Sequence, residues 1–119
     1  MTICLAESLL EKGFDIQDQF TRFKKWHYDG YATPLDDRSY GIGQQTFRKL
    51  MLPKPDITNI DDPKAGGNGG LMRVAPIALY YQGDYKQIIE KSILACRVTH
   101  NNKIAEATCV IFNTMISLI

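Results

Sequence analysis

The 119-residue sequence predicts an all-α fold. Along most of the chain, apolar side chains recur every three or four residues, which is the period of an amphipathic helix. Glycine and proline close several of these stretches, while aspartate or asparagine opens others. No stretch has the strict alternation of apolar and polar residues that is typical of a half-buried strand. A chain of this length corresponds to one domain or less.

One helix is predicted before Gly13 and one after it. The first has an apolar stripe formed by Ile3, Ala6, Leu9 and Leu10. Asp15 is a candidate N-cap of the second helix, and Asp18 lies near the positive end of its dipole. We expect the buried side of this helix to comprise Ile16, Phe20, Phe23 and Trp26 or His27. Gly30 and Pro34 end it and open a loop.

The middle of the chain is predicted to be a short helix, a long loop and a further helix. The short helix covers residues 43–52, with Phe47, Leu50 and Met51 inward. Residues 53–70 contain three prolines and four glycines and form a loop, and loops of this length in compact domains are usually functional or mobile. The helical pattern resumes from Leu71 to Tyr81, with Pro76 in its first turns.

Two more helices are predicted at the C-terminal end. Asp84 caps one, whose inward stripe is Tyr85, Ile88, Ile89, Ser92 and Cys96. Asn101 or Asn102 caps the last, whose apolar side comprises Ile104, Ala107, Thr108, Ile111, Met115 and Leu118. A second stripe on this helix comprises Ala105, Cys109, Phe112 and Ile116. Because a helix that is apolar on two sides is normally buried, we expect the chain to be cut from a larger domain. The alternative is dimerisation through the end helices.

The composition excludes some classes of function. With 14 basic and 13 acidic side chains, the net charge of +1 gives no electrostatic reason to expect nucleic acid or an acidic membrane as partner. Cys4, Cys96 and Cys109 form neither a disulfide framework nor a zinc motif, so they are predicted to be small buried hydrophobes. No signal peptide or membrane-length apolar run is visible. We therefore expect a cytoplasmic protein.

A glycine-rich segment at residues 64–70 is the strongest candidate for a binding site. Consecutive glycines let a ligand approach the backbone closely, and free amides at a helix start favour an anion. The segment could therefore hold a diphosphate, although a plain flexible loop fits its composition equally well. It is not a P-loop, since no Lys-Ser or Lys-Thr follows, and no strand precedes it as a dinucleotide fingerprint requires.

The other polar motifs are weaker alone. Tyr40-Gly41-Ile42-Gly43 also precedes a helix, but a simple turn explains it. His100 lies between two helices, where a lone histidine is more often a packed residue than a catalyst. The pairs Asp36-Asp37 and Asp61-Asp62 could bind a hard cation, yet no third oxygen cluster accompanies them. They are interpreted as solvated loop acids, and no metal ligand or catalytic residue is predicted.

Taken in order, these motifs resemble the ADP-ribosylglycohydrolase family. The matching elements are Met1-Thr2 with Leu5-Ala6-Glu7-Ser8-Leu9, Phe14-Asp15, Tyr40-Gly41-Ile42-Gly43 with Thr46, Gly67-Asn68-Gly69-Gly70-Leu71-Met72-Arg73-Val74-Ala75-Pro76, and Thr99-His100. The resemblance implies that residues 1–119 are part of an all-α orthogonal bundle. It also implies a magnesium- or manganese-assisted hydrolase that removes ADP-ribose from a protein side chain, a polymer or a small acceptor.

The resemblance also assigns ligand-binding residues. Gly67, Asn68 and Gly69 correspond to a diphosphate and ribose loop. Gly41 and Gly43 correspond to a second phosphate loop, and His100 to a ligand-facing residue.

Met72 and Arg73 match the family motif too, but we expect them to pack and brace the loop. The family's acidic metal-binding motifs have no counterpart here, so an incomplete enzyme that binds ADP-ribose or an ADP-ribosylated protein is expected. Arginine-type members carry an acidic residue in the second loop, where this chain has Gly41. The Tyr40-Gly41-Ile42-Gly43 form is closer to members that act on serine-linked or polymeric ADP-ribose, and to many bacterial members of unknown substrate. The alternatives are a non-catalytic ADP-ribose binder and a helical interaction module.

Overall fold

The computed structural model describes residues 1–58 and 60–119. These residues form six α-helices and two 3₁₀ turns without any strand, so the predicted all-α class is confirmed. The helices are α1 (Thr2–Lys12), α2 (Ile16–Asp29), α3 (Gln44–Leu50), α4 (Ala75–Tyr80), α5 (Tyr85–Arg97) and α6 (Lys103–Ser117), and the 3₁₀ turns are Pro63–Ala65 and Leu71–Arg73. None of the described helices is long and apolar enough to cross a membrane. The predicted loop over 53–70 contains Asn59, which lies outside the described residues.

Side-chain caps begin three of the helices, as predicted. The Asp15 carboxylate accepts a hydrogen bond from the backbone N–H of Asp18 at 3.0 Å and starts α2. The Asp84 carboxylate does the same for Gln87 at 3.1 Å and starts α5. Asn102 caps α6. Each cap satisfies a backbone donor that has no partner within its own helix.

An apolar core connects the described helices. α5 packs along α6, α1 packs against α2 and α4, and α4 also packs against α5 and α6. The buried core residues are Cys4, Leu5, Leu9, Phe20, Phe23, Leu50, Val74, Ile77, Ala95, Cys96, Val98, Ala105 and Cys109. All three cysteines are buried and unpaired, as predicted.

The predicted inward face of α3 is wrong at two of three positions. Phe47 and Met51 are 40% and 58% exposed, and only Leu50 is fully buried. Lys49 lies on the inner side instead, because its ammonium group donates to the backbone carbonyl of Asp56 at 2.6 Å. A buried lysine that donates to a loop carbonyl cannot be recognised from apolar periodicity.

The predicted helix from Leu71 to Tyr81 is wrong as a single element. A 3₁₀ turn covers Leu71–Arg73, and α4 begins only at Ala75. Pro76 explains the break, since proline has no N–H and its ring would clash with the carbonyl four residues earlier. Proline is tolerated in the first turn of a helix, which is where Pro76 lies in α4.

The predicted apolar faces of α5 and α6 are also partly wrong. In α5, Tyr85 and Ile89 are 47% and 44% exposed. In α6, both apolar stripes were expected to be buried, but the first faces outward and all six of its residues are exposed: Ile104, Ala107, Thr108, Ile111, Met115 and Leu118. α6 instead packs through Ala105, Cys109 and Asn113, all of which are buried. From the second stripe, Phe112 is 39% exposed.

Candidate functional site

A cavity of about 400 Å³ brings the two glycine motifs together. Residues 66–70 form the first glycine loop and residues 40–43 the second. Gly69 of the first loop and Gly41 and Gly43 of the second all line this cavity. The other lining residues are Met1, Thr2, Trp26, Tyr40, Ile42, Thr46, Met72 and Arg73. The volume is within the range of cavities that hold small ligands.

Gly69 lies where only a glycine fits. A Cβ atom at this position would be 2.6 Å from Cε1 of His100 and 3.1 Å from Oγ1 of Thr46. The backbone of the first glycine loop is therefore pressed against the histidine ring on one side while it lines the cavity. Gly67 and Asn68 are exposed and do not line the cavity. They lie in the same loop, next to Gly69 along the chain.

Arg73 ties the first glycine loop to the end of α5. The guanidinium donates to the carbonyl of Gly69 at 3.0 Å, to Oγ1 of Thr99 at 2.7 Å and to the carbonyl of Ala95 at 2.7 Å. Its centre lies 5.1 Å from the centroid of the Phe23 ring. The residue is 2% exposed. Arg73 therefore braces the loop, as the sequence predicts, and it also lines the cavity.

His100 lies behind the first glycine loop and does not line the cavity. It is 3% exposed, and Nδ1 lies 2.7 Å from Oγ1 of Thr99. Because Arg73 can only donate to the Thr99 hydroxyl, the hydroxyl can donate its own hydrogen to Nδ1. This arrangement favours the neutral tautomer that carries its hydrogen on Nε2. Burial, together with the charges of Arg73 and Lys49, lowers the pKa of His100 to about 4. The ring is therefore neutral at neutral pH.

The second glycine loop is held in place from α3. Gly41 adopts a φ of +84°, a left-handed conformation that favours glycine. Gly43 precedes α3 with a φ of −70°, and a Cβ there would meet no described atom within 4 Å. The Gln45 amide donates to the carbonyl of Thr99 at 2.8 Å. Thr99 therefore bonds to Gln45 of α3, which follows the second glycine loop, and to Arg73, which holds the first.

The rim of the cavity is apolar, which the sequence patterns did not indicate. Trp26 and Tyr40 line one part, and Tyr40 is 79% exposed. Met72 was expected to pack and brace the glycine loop, and this is wrong because it is 73% exposed and lines the cavity. Trp26 was assigned only to the buried side of α2. Its place in the cavity depends on how α2 meets the loop at 40–43.

The acidic pairs form no metal-binding cluster among the described residues, and only Asp61-Asp62 makes hydrogen bonds to the backbone. The Asp61 carboxylate accepts from the backbone N–H of Lys103 at 3.1 Å, and that of Asp62 from Lys64 at 2.9 Å. Asp36-Asp37 is exposed. Across residues 1–58 and 60–119, no three histidine, cysteine, aspartate or glutamate side chains come close enough to hold a metal ion. The described residues therefore do not fit the metal that the resemblance implies.

The fold and cavity together define an all-α protein with two glycine loops facing one ligand-sized space. The sequence model of the family described as ADP-ribosylglycohydrolase matches residues 1–119. The chain belongs to this family.

Three relatives show how much of a family member the chain represents. It is 35% identical to ADP-ribosylhydrolase ARH3 of Mus musculus and 34% identical to that of Homo sapiens, in each case over 84% of this chain and 28% of the relative. It is 25% identical to ADP-ribosylarginine hydrolase Tri1 of Pseudomonas putida (strain GB-1), over 99% of this chain and 33% of the relative. The chain thus spans about a third of the length of these relatives or less. No solved structure matches it significantly.

Proposed function

We propose that this chain holds the ADP-ribose part of the substrate of an ADP-ribosyl hydrolase. The proposal rests mainly on one observation, that Gly69 and the Gly41–Gly43 segment line the same 400 Å³ cavity. Backbone N–H groups in glycine-rich loops can approach phosphate oxygens closely because no Cβ intervenes. The diphosphate would lie between the two loops.

The other predicted residues, Gly67, Asn68 and His100, have supporting roles in this proposal. Gly67 and Asn68 are exposed beside Gly69, where they could contact a ribose that extends from the diphosphate. His100 would support Gly69 from behind as a neutral ring, because burial lowers its pKa.

For the whole protein we propose metal-assisted hydrolysis of the bond between ADP-ribose and its acceptor, as the family resemblance implies. The described residues of this chain bring no metal-holding group together, so we propose that the reaction requires residues beyond these 119. Purified chain is therefore expected to release no ADP-ribose from a modified protein in millimolar Mg²⁺. Sustained metal-dependent release would contradict the proposed incompleteness.

The proposed acceptor linkage is serine or polymer rather than arginine. Gly41 is uncharged and lines the cavity, whereas a guanidinium on the substrate would be stabilised by an acidic side chain at such a position. One of the relatives is named an ADP-ribosylarginine hydrolase. Competition between serine-linked and arginine-linked ADP-ribosyl peptides for the cavity would test this preference.

The binding proposal is tested most directly at Gly43. This residue has an ordinary φ of −70°, and its missing Cβ would meet no described atom within 4 Å. Gly43→Val should therefore leave the thermal unfolding midpoint nearly unchanged while adding bulk beside the cavity. Calorimetry with ADP-ribose should show clear binding to the wild type and a large loss in this variant. Equal affinities would contradict the assignment of the second glycine loop.

A helical interaction module is the second candidate, and the outward face of α6 favours it. Ile104, Ile111 and Met115 are 73%, 59% and 62% exposed. This candidate predicts self-association without ADP-ribose binding. Sedimentation and calorimetry on one sample would therefore separate the two candidates.

A further inference from the structure

The charge of Arg73 is buried without a compensating carboxylate. The residue is 2% exposed, and within the described ranges 1–58 and 60–119 no aspartate or glutamate lies within ion-pair distance of its guanidinium. Its hydrogen-bond acceptors are two carbonyls and one hydroxyl, all neutral. An uncompensated buried cation is unfavourable by several kcal/mol. A positive charge is therefore available for an anion.

The guanidinium also has unused donors. An arginine side chain has five N–H groups, and three of them reach Gly69, Thr99 and Ala95. The N–H of Nε and one N–H of the second terminal nitrogen have no acceptor among the described residues. Because Arg73 lines the cavity together with Gly69, its buried charge adjoins the proposed ligand site.

We propose that an anionic ligand group compensates the charge of Arg73, so that this buried residue makes the cavity selective for diphosphate-bearing ligands over neutral ones. The inference rests on the proposed function and adds the residue that sets its selectivity. Arg73 is thus more than the loop brace that the sequence predicts. Its three protein hydrogen bonds hold the charge in place, and the ligand completes its neutralisation.

Three probes distinguish a charge role from bracing alone: ADP-ribose, inorganic pyrophosphate and uncharged adenosine. Arg73→Met should weaken ADP-ribose and pyrophosphate roughly tenfold to a hundredfold, which is the range for losing a hydrogen bond to a charged group. Adenosine affinity should fall much less, because adenosine carries no charge for Arg73 to neutralise. If Arg73 only braced the loop, all ligands that bind the wild type would weaken together.

Arg73→Lys provides the matched control. Lysine keeps the charge but cannot reproduce the planar set of donors that reaches three acceptors. A charge role predicts that Arg73→Lys retains most of the pyrophosphate affinity that Arg73→Met loses, together with its salt dependence. A bracing role predicts that both variants bind equally poorly.

The wild-type chain offers a test that does not depend on variants that fold. The charge of Arg73 contributes to the lowered pKa of His100. An anion that compensates this charge should therefore raise the pKa of His100, and an NMR titration of its ring protons with and without saturating pyrophosphate would measure the shift. An unchanged pKa in the bound state would overturn the inference. Failure of both ADP-ribose and pyrophosphate to bind the wild type would instead overturn the proposed function.

Discussion

At the scale of single residues, His100 is a buried ring beside the first glycine loop, as a lone histidine between two helices more often is. It touches the first glycine loop from behind, forms a hydrogen bond with Thr99 and lies outside the lining of the cavity. Its chemistry is therefore that of a neutral supporting ring. Because burial lowers the pKa of His100, the stability of the folded chain is expected to depend on pH.

Lowering the pH should destabilise the chain through His100. The folded state holds the pKa of His100 at about 4, below its ordinary value of 6.5. Between these values the unfolded chain binds a proton that the folded chain does not, so the free energy of unfolding falls as the pH falls through this window. Urea titrations from pH 7 to pH 4 should show this loss in the wild type. His100→Gln should show a shallower dependence; an identical slope would contradict the assignment.

The two glycines at the ends of the segment Gly66–Gly69 should respond oppositely to the same change. A Cβ at Gly69 would lie 2.6 Å from the buried ring of His100, whereas one at Gly66 would be 3.5 Å from Asn102. Gly69→Ala should therefore lower the free energy of unfolding by about 1–3 kcal/mol. Gly66→Ala, at a φ of −86° that alanine tolerates, should raise it by about 0.4–1 kcal/mol. Chemical denaturation measures both, and equal effects would argue against the close packing at Gly69.

The glycines that line the cavity could be predicted from the sequence, whereas the larger side chains around them could not. The glycine-rich segment that contains Gly69 was a candidate because consecutive glycines allow close backbone approach, whereas Gly41 and Gly43 were assigned only through the family resemblance. Trp26 and Gln45 were missed as site residues, since each reaches the cavity or Thr99 only through the packing of its helix. Local patterns contain no information on that packing.

At the scale of elements, the start of α6 is the junction between the long loop and the helical core. The Asn102 side chain accepts from the backbone N–H of Ile104 at 3.0 Å and of Ala105 at 3.2 Å. Its amide also donates to the carbonyl of Asp62 at 3.0 Å. One residue thus caps the helix and anchors the loop that leads to the glycines.

Removing this cap should destabilise the whole chain. Asn102→Ala loses the cap and the loop anchor, with an expected cost of about 1–2 kcal/mol in the free energy of unfolding. Asn101→Ala is the matched control, because no side-chain hydrogen bond of Asn101 is found among the described residues and its backbone contact with Asp62 remains. If the two variants were equally unstable by circular dichroism melts, the capping role would be contradicted.

The starts of α2, α5 and α6 followed from the sequence, but the side that α6 buries did not. Asp15, Asp84 and Asn102 act through local hydrogen bonds, so their positions predict where helices begin. The outward face of α6 depends instead on its packing against α4 and α5. With two apolar stripes, the sequence gives no preference between them, and the structure buries the one that includes Cys109.

At the scale of the whole molecule, the described residues also expose apolar surface outside the cavity. One is the outward side of α6. Another is a groove of about 580 Å³ between α1 and α4, which shares Thr2 with the cavity and in which Leu10 and Leu79 are 78% and 67% exposed. Exposed apolar surface of this kind marks an interaction site or a tendency to aggregate.

We expect the chain to associate through α6 as its concentration rises. Ile111 is 59% exposed on the outward side, so Ile111→Lys should weaken association with little effect on stability. Thr108→Lys adds the same charge at an exposed position on the same side but removes less apolar surface, and it should have a smaller effect. Sedimentation velocity over a concentration series measures both. Wild-type association that persists unchanged in Ile111→Lys would exclude this face as the contact.

The network around Arg73 has a consequence for the order in which the folded chain opens. One guanidinium joins the carbonyls of Gly69 and Ala95 and the hydroxyl of Thr99, so the glycine loop cannot move far without disturbing the end of α5. The amides of Met72 and His100, each bonded within these segments, should therefore exchange with deuterium at closely similar rates, as one cooperative unit. Ligand binding would slow both together, even though His100 does not line the cavity.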